Sequence, residues 1–446
     1  MRRSIGGPLI VIGVGVLFLL NNFYPDVFTF HSLARYWPFL LIGFGVIRLI
    51  EVFIDAGRAR PLPASQISAA GIIAVVVACL LAGAASKGAR SHWHGTPFVH
   101  VDTLGIFGDE FNFDVQQSLP AGAGDTRLVL EGLRGNVTVS GDDSSTVNVT
   151  GHRAIRAFSQ AAAGQANRQA QLELVRNGSD IVLRSSSLAE LGVSYDIDVK
   201  VPRRMSLSNQ GVLENITAEA LDGNVDLSGD TGNVRLTSIG GNVRVETTRR
   251  KDLVRAIGIK GKLDLRGTGN DLQLEDIEGP VTIQGNYFGT LDFRNLSKPL
   301  HFSSEQTDLR VEKLPGSISM DLGEFRADNV TGPLHLRCES RDIHVTNFSD
   351  EVEVNVEHGD IELNPQRTPL AKIDVHVRAG DIELTIPGKA PFELHASTAQ
   401  GDVDNQYGKG VSTASEGRSA SMKSEPGGGP AITLTTRRGD ITVKKS

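Results

Sequence analysis

Beyond residue 100 the chain contains no tryptophan and only three tyrosines, Tyr195, Tyr287 and Tyr407. A sugar platform built on stacked exposed aromatics has little to be made from. Cysteine is nearly absent too, with only Cys79 and Cys338 in 446 residues. A disulfide between them would need an apolar run and a distant polar repeat to bring their Cα atoms together. Both therefore read as free thiols, and the count does not decide the redox compartment. Cys338 continues the alternation Leu334, Leu336, Cys338, so it is expected inside, acting as a small hydrophobe. Positive charge is in deficit: net charge is −7, and no basic footprint argues for nucleic acid. No phosphate loop, nucleophile motif or metal-ligand spacing occurs. His92-Trp93-His94 offers two histidines but no third ligand nearby. Catalytic, cofactor-binding and metal-binding residues are accordingly predicted to be none, and no enzyme activity is expected.

Long apolar runs are present, but only at the start. Residues 5–23, 37–54 and 67–85 are each about the length that crosses a bilayer as a helix. The second run carries Arg48 and Glu51 near its end, where they can snorkel or pair. Tyr24, Tyr36 and Trp37 fall at interface levels. Residues 21–25, Asn-Asn-Phe-Tyr-Pro, offer no small-x-small cleavage site, which favours an uncleaved span over a signal peptide. Lys/Arg bias is slight and places the N-terminus inside. Three spans then put the rest of the chain outside the cytoplasm. The expected organisation is a membrane anchor over 1–86, a linker with an entry strand over 87–125, and a repeat domain over 126–446.

The repeat is the strongest signal. A turn glycine, a small polar residue and an apolar–polar–apolar triplet recur about every nine residues. The phrase reads Gly223-Asn224-Val225-Asp226-Leu227, Gly241-Asn242-Val243-Arg244-Val245, Gly359-Asp360-Ile361-Glu362-Leu363 and Gly439-Asp440-Ile441-Thr442-Val443. Nine residues hold one short strand and a turn. Two such steps, about 18 to 21 residues, predict one coil with a strand on each of two walls. The predicted fold is an all-β parallel β-solenoid. Its expected core includes Leu291, Phe293, Leu309, Val311, Ile343, Val345, Ile382 and Leu384. An Ala- and Gln-rich stretch predicts one helical insertion over about 154–170, and a Gly- and Ser-rich one predicts a flexible insertion over about 405–430.

The turn positions Asn224, Asn242, Asp360, Asp381, Asp402 and Asp440 admit two readings. One is a calcium-binding ladder, which needs Gly-Gly-x-Gly-x-Asp; that motif is absent. The other is that Asn and Asp bond within their own turns and tolerate left-handed backbone. His335, His344 and His376 fall between inward residues and should face out; His358, His376 and His395 should not stack.

The order of residues at the N-terminus is also familiar. Gly6-Gly7-Pro8-Leu9-Ile10 through Phe18-Leu19-Leu20-Asn21-Asn22, then Tyr36-Trp37-Pro38-Phe39-Leu40-Leu41-Ile42-Gly43, resembles the LiaI/LiaF-like transmembrane region of bacterial envelope-stress proteins. Residues 195–202, Tyr-Asp-Ile-Asp-Val-Lys-Val-Pro, and the Gly-Asn/Asp phrases after them resemble the bacterial adhesin-like "toastrack" repeat family. The two resemblances imply a non-enzymatic cell-envelope protein in the cytoplasmic membrane, with the lipid bilayer and membrane proteins of an envelope-stress system as partners. The first alternative is an adhesin-like module binding a polymer or protein along the coil. The second is a polysaccharide-active β-helix enzyme, which would need an outward acidic cluster. No small-molecule ligand or cofactor is indicated.

Overall fold

A computed structural model describes residues 109–185, 193–228, 231–366, 368–388, 390–425 and 428–446. The three expected membrane spans lie outside the described residues. The coil unit comprises Glu110–Ile155 and Gln160–Ser446.

This unit is nearly all strand, with one helix, α1 (Gln160–Gln169). Strands alternate between two walls. Wall one carries, in stacking order, Val225–Leu227, the first part of Val243–Ile259, the first part of Leu263–Ile277, Val281–Gln284 and Leu300–Ser303. Wall two carries Thr231–Ile239, the later parts of the same two long strands, and Leu291–Leu296. Neighbours pair in parallel: Val225 opposes Val243, and Val243 opposes Leu263. One face of each wall looks inward. Its side chains form one continuous apolar cluster from Val115 to Val443. All eight expected core residues named above are buried.

The glycine in the repeated phrase is required by the stacking itself. A Cβ on Gly241 would sit 2.4 Å from the Gly223 carbonyl oxygen, and one on Gly261 2.3 Å from that of Gly241. Only glycine lets consecutive coils come this close.

The residue after the glycine departs from expectation. The Asn and Asp side chains do not close their own turns. Each accepts from the backbone N–H of the equivalent residue one coil away. The Asn242 N–H donates to Asn224 Oδ1 at 2.8 Å and the Lys262 N–H to Asn242 Oδ1 at 2.9 Å. The same pattern runs through Asp342, Asp360, Asp381, Asp440 and Asp402 at 2.7–3.0 Å. At a corner the strand ladder is interrupted, so a short acceptor side chain satisfies the orphan N–H of its neighbour. The left-handed residues sit elsewhere, where chains leave wall two. Ala220, Ser238, Gly258, Asp276 and Asn295 have φ between 50° and 69°. Each precedes an apolar residue of one stacked row, Leu221, Ile239, Ile259, Ile277 and Leu296.

In the middle of the stack one strand breaks the expected all-parallel winding. Strand Thr307–Met320 runs backwards through both walls. Its first part pairs antiparallel with Leu300–Ser303 and Thr331–Ser340, its second part with Leu291–Leu296 and Glu324–Asp328. Beyond it the parallel winding resumes, with Phe325 opposite Ile343 and Ile343 opposite Ile361. The two largest fully buried side chains, Phe293 and Phe325, oppose Ile318 and Met320 of this strand. Arg341 fastens it, its guanidinium donating to the Thr307 hydroxyl and to the Asp321 carbonyl at the strand's two ends.

Chain order is also broken at both ends of the stack. The coil formed by Arg127–Glu131 and Arg134–Asp142 lies between Asp180–Ser185 with Val193–Pro202 on one side and Ser206–Asn209 with Val212–Leu221 on the other. The last coil, Ala431–Thr436 with Ile441–Lys445, lies between Ile373–Ile386 and Glu393–Gln406. Antiparallel strands then close wall one: Leu172–Asn177 at one end, Ser419–Ser424 and Val411–Glu416 at the other. Within the stretch expected as a flexible insertion over about 405–430, Val411–Glu416 and Ser419–Ser424 pair as an antiparallel hairpin. The helical insertion is shorter than the expected 154–170, because Ala154 and Ile155 are strand residues opposite Ser194 and Val193.

Candidate binding face

With the inward faces sealed, chemistry is confined to the outward rows. Period-two alternation places Asp, Glu, Arg, Lys and His there, in register from coil to coil. Some pair with a neighbour. Arg310 lies 3.1 Å from Asp308, Lys372 2.6 Å from Glu351, and Arg294 2.8 Å from Asp292. The histidines take part: His335 Nδ1 is 2.8 Å from Glu353, and His344 lies between Glu324 at 3.2 Å and Glu362 at 3.0 Å. His335, His344 and His376 face outward as expected. His358, His376 and His395 do not stack, since their register partners are Ala379, Thr435 and Thr433 respectively. Each exposed pair contributes about 0.2–1 kcal/mol, so these pairs pattern the surface more than they hold the fold.

Cys338 is buried, as expected, and unbridged. Burial pushes its thiol up to about 11, so it remains protonated and inert at neutral pH. Burial likewise lowers the Arg341 guanidinium from its usual value.

A shallow concavity lies on the face of wall one, among the described residues. It has a volume of about 250 Å³ and is lined by Asn355, Val356, Glu357, His376, Val377, Arg378 and Arg437. Three separate strands supply it: Val352–His358, Ile373–Ala379 and the end of Ala431–Thr436. None of these residues stands out in the sequence, where His376 read as an ordinary surface histidine. Their proximity follows only once the coil steps here, 21 residues and then 59 across the inserted last coil, are known.

The fold and its faces define a class: a long two-walled β-coil with polar outer rows. The chain belongs to the Toastrack DUF4097 family, whose model matches residues 126–444. Residues 6–89 match the LiaF transmembrane domain, so the protein is a membrane-anchored protein of the cell envelope. Solved structures similar to it include a candidate cell-adhesion protein from Clostridium sporogenes, at 9% identity and TM-score 0.18, covering 75% of this chain and 100% of that one. A candidate adhesin from Bacteroides fragilis is 12% identical at TM-score 0.23, covering 75% and 97%. One from Parabacteroides merdae is 11% identical at TM-score 0.20, covering 75% and 96%. No curated protein matches the chain.

Proposed function

We propose that this protein is a non-enzymatic envelope-stress sensing or scaffolding module, acting through protein–protein contacts. Its membrane segment contacts partner membrane proteins, and its coil lies on the extracytoplasmic side. The observation that carries this reading is the joining of a LiaF transmembrane match to a Toastrack coil whose outward rows carry charged side chains, several of them in ion pairs. A surface of paired charges on a stiff scaffold suits recognition by matched surfaces better than bond-breaking chemistry.

Site-specific photocrosslinking in cells treated with envelope-damaging antibiotics is the direct test. Capture of a membrane protein through the N-terminal segment is the expected result; capture of none overturns the reading. Placement is tested with Lys409→Cys, at an exposed position beside the terminal hairpin, and a membrane-impermeant maleimide on intact cells. Buried Cys338 contributes little background. Labelling only after cell lysis would put the coil in the cytoplasm.

A further inference from the structure

Arg437 is the unusual member of the wall-one concavity. Two arginines are neighbours here, as Arg235 and Arg255 are on wall two. Val377 opposes Thr436, and the Arg437 N–H, one residue on, still bonds the Val377 carbonyl at 3.1 Å. Arg378 and Arg437 therefore project from adjacent strands, about 4.8 Å apart at the backbone. Arg378 is engaged by Glu357 at 3.1 Å. The Arg437 guanidinium has no hydrogen bond or ion pair among the described residues.

The opposite rim carries Asn355 and His376, in a row that includes Arg337, opposite Asn355. Asn355, His376 and Thr435 stand in one register row, continued by Ser397. His376 Nε2 lies 3.1 Å from Asp374 Oδ1. The Asn355 amide is unpartnered among the described residues. The two rims lie two residues apart along each strand, and the floor between them is the backbone at Val356 and Val377. The channel so formed is a shallow, open depression.

We infer that this channel binds one anionic unit of a hydroxyl-rich polymer, an acidic glycan, with Arg437 as the fork that grips its carboxylate or phosphate. A planar guanidinium matches either oxyanion with two parallel bonds. Asn355 and the other His376 nitrogen are placed for ring or backbone hydroxyls. At about 250 Å³ the concavity is below the roughly 300–1,000 Å³ of sites that enclose a whole ligand. It fits one unit of a chain that continues past it. No Phe, Tyr or Trp lines it, so a neutral sugar lacks the broad apolar ring face it stacks on.

The test uses the full-length protein in detergent, so it does not depend on partner contacts or on which side of the membrane the coil lies. Fluorescently labelled oligogalacturonate and poly(glycerol phosphate) serve as carboxylate and phosphate probes, with neutral dextran as control, and anisotropy is the readout. Binding of at least one acidic probe and not of dextran, weakening with added salt, is expected. Arg437→Gln should weaken it about 10-fold or more. Glu357→Gln, which removes the nearest carboxylate, should strengthen it about 3- to 10-fold. Arg294→Gln on wall two should leave it unchanged. Which probe binds identifies the oxyanion. Equal binding of dextran, no binding of either acidic probe, or equal losses for Arg437→Gln and Arg294→Gln would overturn the assignment.

Discussion

At the scale of single residues, the repeated phrase is a set of inter-coil contacts written in side-chain chemistry. Glycine is there because the next carbonyl leaves no room for a Cβ. Asn or Asp follows because the neighbouring coil presents a backbone N–H that needs an acceptor. The two acceptors are not equivalent. Asp342, Asp360 and Asp381 stack like charges at the strand spacing of about 4.8 Å, whereas the earlier corner uses neutral Asn224 and Asn242. Asp360→Asn keeps the acceptor and removes one repelling charge. It should raise stability by a few tenths of a kcal/mol, more at low salt. Asp360→Ala leaves the Asp381 N–H without its partner and should cost about 0.5–1.5 kcal/mol. Urea titrations at two ionic strengths separate these outcomes. The glycine half of this logic was legible from the sequence period. The acceptor half was not, because the same residues also suit isolated turns, and only stacking shows which N–H they serve.

Among the elements, the reversed strand Thr307–Met320 is the one that the sequence concealed. Apolar alternation is the same whichever way a strand runs, and the nine-residue step continues unbroken through it. Its two hairpin turns carry the distinguishing information. At Asp321 the carboxylate accepts from the N–H groups of Gly323 and Glu324, both at 2.8 Å. These bonds hold its pKa below the ordinary 3.8. A depressed folded-state value means stabilisation that is fully present above about pH 4 and is lost as pH falls through the folded value. Thermal melts from pH 5 to pH 2 should therefore show a smaller acid loss for Asp321→Asn than for the parent chain. Arg341 acts at both ends of the same strand. Arg341→Met should cost about 1–3 kcal/mol, since it strands the Asp321 carbonyl and the Thr307 hydroxyl. Hydrogen exchange should then quicken first in Thr307–Met320. Uniform quickening along the coil would show that Arg341 is not a local fastening.

The whole coil is bound by nearest-neighbour contacts, as stacked repeats are. Such an array frays from its ends unless the ends are secured. Here the first and last coils in chain order are each paired on both sides, and antiparallel strands from interior segments close wall one. Closing an edge with short or reversed strands also denies other chains a parallel template. A chain ending at residue 430 lacks the coil that joins Ile373–Ile386 to Glu393–Gln406. It should therefore lose both flanking coils and show a urea m-value well below that of the parent, not a simple loss of about one coil. An unchanged exchange pattern over Glu393–Gln406 in the truncated protein would refute this.

The tucked-in final coil also sets a timetable. A ribosome makes Glu393–Gln406 well before Ala431–Lys445, yet the earlier segment docks on the later one. Coils up to Ile373–Ile386 can stack while synthesis continues, but the segments after them have no finished surface to settle on. Completion waits for Ala431–Thr436 and Ile441–Lys445, so translation that stops before residue 431 leaves the far end of the stack unassembled.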